Sequence, residues 1–174
     1  RAVSRRRTVT PHIDDGSDYD NDNEVLHASA GISRPRNLIP ARSPMIRYDV
    51  FNGDADGICA LQQLHLAEPR ESRLVTGVKR DIALLDRVEA GAGDLVTALD
   101  ISLDKNRSAL MSLLEGGASV VYFDHHYPGE IPQHPRLECH IDTAADRGTS
   151  LLVDDHLQGR FRAWAVVGTF GDNF

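Results

Sequence analysis

The residues best suited to chemistry are acids and imidazoles in short motifs: Asp54 and Asp56 in NGDADG, Asp100 in ALDIS, Asp124, His125 and His126 in YFDHH, and Asp172 in GTFGDNF. Several carboxylates in one cleft repel each other and raise their own pKa values unless cations neutralise them. Hard oxygen ligands with an imidazole favour Mn²⁺ or Mg²⁺ over a thiolate-seeking metal. A carboxylate shared by two such ions holds them about 3.5–4 Å apart, the arrangement used to hydrolyse phosphoesters. The paired histidines add a condition. In an extended segment adjacent side chains point to opposite sides, so the two cannot chelate one ion together as a helical i, i+4 pair could. At most one is then a metal ligand, and the other has a different task.

Such residues act together only if the chain gathers them. The run VVYF before Asp124 is apolar and β-branched or aromatic, which suits a strand buried on both faces of a parallel sheet. The rest of the pattern alternates. Strands are expected over 46–52, 72–77, 94–100, 118–124 and 136–142, and helices over 57–67, 81–91, 104–117, 148–158 and 161–174. Asp81 reads as the N-cap of the second helix and Gly91 as its stop. Repeated β-α order predicts an α/β fold with a parallel β-sheet flanked by helices. Ligands gather at the carboxyl ends of such strands, which is where Asp54, Asp56, Asp100, Asp124, His125 and His126 fall.

Composition narrows the function classes. A chain of 174 residues, 41% hydrophobic and 26% charged, is long enough for one soluble domain with a sizeable core. Its net charge of −7 argues against a basic track for duplex DNA but not against a short phosphorylated substrate, because metal ions can supply positive charge locally. Cys59 and Cys139 stand alone, without CxxC spacing, which fits a reducing cytoplasm. No apolar run approaches the ~20 residues that span a bilayer, and no apolar segment of secretory type follows the basic start. Residues 1–44 combine an acidic polar tract with a proline-broken stretch and read as a disordered or variable extension, with the domain covering 45–174.

In combination, DADG after the first strand, the isolated Asp of ALDIS, DHH, and GTFGDN make residues 48–174 resemble the DHH phosphoesterase superfamily. That superfamily includes RecJ-type single-strand exonucleases, oligoribonucleotide and cyclic-dinucleotide phosphodiesterases, and manganese-dependent inorganic pyrophosphatases. The resemblance implies a Rossmann-like DHH domain and a cytoplasmic hydrolase that uses two Mn²⁺ ions, with Mg²⁺ as a substitute, to activate water against a phosphodiester. It also implies a smaller C-terminal cap domain, expected to be absent here because the sequence ends two residues beyond Asp172 of the fourth motif. By the same resemblance Asp54 is a ligand of one metal and Asp56 of the other. Asp100 bridges both, and His125 and Asp172 complete the second site. His126 faces the substrate phosphate, and Asp124 orients the histidines. The partners implied are a phosphorylated small molecule or a short single-stranded nucleic acid.

One departure concerns the first motif. Family members usually carry a histidine four residues before its first Asp, where this chain has Val50, leaving the Asn52 side chain or water to serve metal one. A non-catalytic phosphate-binding or regulatory domain is therefore the alternative to an enzyme, and a pyrophosphatase-type hydrolase the alternative within the enzyme class. Outside these motifs, Lys79 and Arg80 read as solvated, while Thr149 and Ser150 start a helix whose backbone N–H groups could receive an anion, with ordinary N-capping explaining them equally well. Asp154 and Asp155 read as a solvated helix face. His27, His65, His134, His140 and His156 read as lacking acidic partners at ligand spacing.

Overall fold

The computed structural model describes residues 44–172. Of the extension expected to be disordered, residues 1–43 lie outside the described residues, as do His27 and positions 173 and 174. Five strands, β1 (Arg47–Asn52), β2 (Arg73–Gly77), β3 (Leu95–Leu99), β4 (Ser119–Asp124) and β5 (Leu137–Ile141), form one sheet in the order β2-β1-β3-β4-β5. Every pairing is parallel. Four α-helices accompany them: α1 (Ala55–Ala67), α2 (Leu103–Glu115), α3 (Thr149–His156) and α4 (Arg162–Gly171). This is the expected α/β arrangement. No helix among the described residues is long and apolar enough to cross a membrane.

Strand alternation divides the core into two layers. Tyr48, Val50, Ala98 and Tyr122 pack with Leu84, Leu103, Leu110 and Leu114 on the face covered by α2. Phe51, Leu99 and Phe123 pack with Ala60, Leu61, Leu64 and Val153 on the face covered by α1 and α3. Helix α4 lies against α1 and α3. Each of these buried Leu and Phe side chains contributes roughly 1.5–3 kcal/mol relative to an exposed one. Val50 is wholly buried in the first layer, so packing accounts for it fully.

The register aligns the strand ends that matter for chemistry. Asn52 sits opposite Gly77, Phe51 opposite Leu99, Leu99 opposite Phe123, and Asp124 opposite Ile141. The residues that follow therefore emerge along one edge. The strand order also reverses direction between β1 and β3, and a crevice opens at such a switch point in an open parallel sheet. Gly57 lets α1 start close to that edge, since a Cβ there would collide with the Asn52 carbonyl.

Two local expectations are corrected. The helix expected over 81–91 is a single 3₁₀ turn, Leu84–Arg87. The reason lies in α2: Asn106 receives the Leu85 N–H at 3.1 Å and donates to the Ile82 carbonyl at 2.6 Å, replacing helical bonds with side-chain bonds. Asp81 pairs with Arg87 instead of capping a helix. The solvated face expected at Asp154 is buried, and its carboxylate accepts from Arg162 Nε at 3.1 Å. Asp155, by contrast, is exposed as expected and pairs with Arg147.

Candidate metal centre

The site is built from the turns that leave β1, β3 and β4. Asp54 caps α1: its backbone is extended, and its Oδ1 accepts the Gly57 N–H at 3.2 Å. Asp56, in the first turn of the same helix, is fully buried and reaches across to α3. Its Oδ2 accepts the Thr149 N–H at 2.6 Å and its Oδ1 the Ser150 N–H at 2.8 Å. The anion received at this helix start is thus a side chain of the chain itself.

Asp100 follows β3 with φ at 58°, in the left-handed region that non-glycine residues seldom occupy. Its N–H still donates to the Phe123 carbonyl at 3.0 Å, which fixes the residue to the end of β4. The carboxylate is buried, accepts from Thr149 Oγ1 at 3.2 Å and lies 3.3 Å from His125 Nε2. Burial pushes its pKa up to about 7, opposed by the His125 hydrogen bond and reinforced by repulsion from Asp56 and Asp54. Strained backbone and a buried carboxylate beside other acids cost folding energy, a pattern concentrated at functional sites.

The histidines correct a geometric expectation. Strand β4 ends at Asp124, so strand alternation does not extend to His125 and His126. Their rings lie side by side, centroids 4.5 Å apart, and their ligand-capable atoms and a carboxylate oxygen of Asp100 all fall within 4.8 Å of one another. Burial opposes protonation of His125, but the Asp100 carboxylate outweighs it and the pKa is raised. For His126 the hydrogen bond to Asp124 raises the pKa, against burial. That bond joins Asp124 Oδ1 to His126 Nδ1 at 2.6 Å, with Asp124 itself fully buried behind the ring.

Asn52, Asp54, Asp100, His125, His126 and Asp172 line one cleft of about 130 Å³, while Asp56 and Asp124 stand behind it. A larger cavity of about 590 Å³ over β2 and α1 has His65 as its one titratable lining residue, so chemistry and not size marks the site. Of the four buried side-chain oxygens without a hydrogen-bond partner among the described residues, Asn52 Oδ1 and Asp124 Oδ2 belong to this site, and Gln63 Oε1 and Asp154 Oδ1 lie elsewhere. An orphaned amide oxygen beside carboxylates and imidazoles fits a hard divalent cation, which takes oxygen and nitrogen ligands.

Several residues read as incidental have definite partners. Lys79 lines the cleft, 3.4 Å from Asp54 Oδ2 and bonded to Asp172. Its place two residues beyond β2, the strand beside β1, is the signal that could have found it. His65 bonds Asp49 at 2.7 Å and His140 bonds Glu138 at 2.7 Å, so each has one acidic partner in space. His156 packs edge-on against Phe123 and His140.

No protein family model matches the chain, and no curated protein matches it. Among solved structures it is similar to the crystal structure of exonuclease RecJ bound to manganese, at 22% identity and a TM-score of 0.43. The likeness covers 73% of this chain and 39% of that one, so the chain spans about two fifths of the length of the structure it resembles.

Proposed function

We propose that the chain is a metal-dependent phosphoesterase that hydrolyses a phosphodiester, such as a short oligonucleotide, a cyclic dinucleotide or a single-stranded nucleic acid end, using two divalent ions, Mn²⁺ foremost. The observation that carries this reading is the close approach of Asp100, His125 and His126, within 4.8 Å at the ends of β3 and β4. They share a cleft with Asp54 and Asp172. Bound divalent ions would supply the Lewis acidity that activates water and offsets charge on the phosphate.

The chain's own residues divide the remaining work. Asp100 would be the carboxylate common to both ions, its backbone N–H held by the Phe123 carbonyl and its side chain by Thr149 Oγ1. Asp54 would serve one ion with Asn52 Oδ1 lining the same cleft, and His125, Asp172 and Asp56 would serve the other. Asp56 gives one lone pair from each oxygen to α3 and keeps the others. Asp124 fixes the His126 ring through Nδ1, which leaves Nε2 to meet the substrate phosphate. The unpaired Cys59 and Cys139 suit a reducing cytoplasm. Turnover of a chromogenic phosphodiester and of short oligonucleotides by the full-length protein with Mn²⁺ tests the reading. Absence of any turnover while metal is bound would overturn it.

A second reading, a phosphate-binding or regulatory module, is favoured by two observations. Val50 is core, and Asp56 already gives one lone pair from each oxygen to α3, so fewer donor sites remain for a second ion. Calorimetric titration separates the two: two Mn²⁺ per chain support the enzyme, and one without hydrolysis supports the module. Release of phosphate from pyrophosphate faster than nucleotide from an oligonucleotide would move the enzyme to the phosphoanhydride class.

A further inference from the structure

The acid-lined cleft has a single lysine or arginine among its described lining residues, Lys79. Its position follows from the backbone. β2 pairs with β1 up to Gly77 opposite Asn52, and the Gly53 N–H donates to the Gly77 carbonyl at 3.0 Å. The loop leaving β2 therefore runs beside the turn that carries Asp54. A tight turn from Val78 to Asp81, closed by a 2.7 Å backbone bond, and the Asp81–Arg87 ion pair hold that loop. Lys79 Nζ is left 3.4 Å from Asp54 Oδ2 and bonded to Asp172.

A monovalent ammonium thus bridges two carboxylates that the proposed centre assigns to metal ions. The lysine side chain is 63% exposed and ends a flexible stem, so it can leave at little cost. A divalent ion brings more charge to the same oxygens and wins the exchange. Once displaced, the ammonium stands at the mouth of a cleft where a phosphate would bind.

We propose that Lys79 is an internal counter-cation for Asp54 and Asp172, which holds both acids in the metal-free chain, yields them to a divalent ion and then carries its charge to the substrate phosphate. This rests on the metal centre proposed above and adds a coupling to it. Lys79 competes with metal and assists phosphate, so phosphate binds well only after metal has released the lysine.

Calorimetry on the full chain tests this with Mn²⁺ alone, and then with inorganic phosphate added to the Mn²⁺-loaded protein. Lys79→Met is expected to bind Mn²⁺ roughly threefold to tenfold more tightly than the wild type, since exposed ion pairs no longer compete. The same variant should bind phosphate about tenfold more weakly, having lost a charge-assisted contact. Arg80→Met, which removes an exposed charge outside the cleft lining, should change either affinity less than about twofold. Saturable Mn²⁺ binding that Lys79→Met leaves unchanged or weakens would overturn the inference and spare the metal centre. Saturable binding in neither protein would overturn both. Binding in Lys79→Met alone would support the exchange in its strongest form. Unchanged phosphate affinity in Lys79→Met would overturn the substrate role.

Discussion

Asp49 and Asp100 lie on or just beyond neighbouring strands and are equally inaccessible, at 0% and 1% exposure, yet their carboxyl groups shift in opposite directions. At Asp49 burial pushes the pKa up, but hydrogen bonds from Ser72, His65 and Arg70 outweigh it and the carboxyl is held below its usual range. Those bonds measure 2.5, 2.7 and 3.1 Å. At Asp100 burial also pushes the pKa up, the His125 hydrogen bond does not offset it, and Asp56 and Asp54 add repulsion, so the pKa rises to about 7. The fold supplies Asp49 with a guanidinium of its own and gives Asp100 acids for company. A buried acid surrounded by donors and a cation stabilises the chain, whereas one set beside other acids is a candidate place for a cation from outside.

The comparison can be broken most forcefully at Asp49. Asp49→Ala removes the buried partner of Arg70, whose side chain is 12% exposed and keeps only the exposed Glu68 as an acid, and should cost about 3–5 kcal/mol in urea unfolding. Mn²⁺ affinity of the folded protein should not move, and a large loss of affinity would erase the distinction between the two acids. Asp100→Ala should do the reverse. It should weaken Mn²⁺ binding by more than about a hundredfold, because even groups that only support a ligand are worth 10–100-fold. The metal-free chain should unfold at the same or higher urea concentration, as a repelled carboxylate has gone.

The histidines sharpen the comparison. His125→Ala should lower Mn²⁺ affinity and activity together. His126→Ala should spare metal binding and chiefly depress kcat, as expected when an interaction made mainly in the transition state is lost. Because both rings approach Asp100, equal losses of Mn²⁺ affinity in the two variants would make His126 a ligand.

The smallest effect is in pH. Asp49, with its folded pKa lowered from 3.8, contributes stability that is present above that value and lost as pH falls through the lower folded value. Asp100, raised from 3.8 to about 7, holds a proton that the unfolded chain releases, so metal-free stability should fall as pH rises across that window. His125, with its pKa raised, pulls the same way. Urea midpoints against pH, in chelator, should show the decline in the wild type and a flatter profile in Asp100→Asn. Saturating Mn²⁺ should reverse the slope, since the ion binds the ionised carboxylate.

Much of this fold was legible because it is written in local pattern. Runs such as VVYF and the acids that end them place strands and strand ends without knowledge of any partner. What escaped depends on residues distant in sequence. The 3₁₀ turn at Leu84–Arg87 is dictated by Asn106 from α2. The Asp49 network draws on His65, Arg70 and Ser72, and Asp56 turns toward amides 93 and 94 positions away. Alternation also misled at His125 and His126, where it was carried past the last residue of β4.

The Asp56 carboxylate has one more consequence. It is the peg that holds the first two backbone amides of α3, those of Thr149 and Ser150, and Gly148 leaves room for it, since a Cβ there would sit 3.0 Å from both oxygens. Helix α3 in turn packs on α1 and α4. An ion that draws Asp56 toward the cleft loosens this peg, and one that leaves it in place does not. With Asp56 as a ligand in the proposed centre, occupancy should register as raised deuterium uptake at the Thr149 and Ser150 amides, an internal gauge that works without substrate.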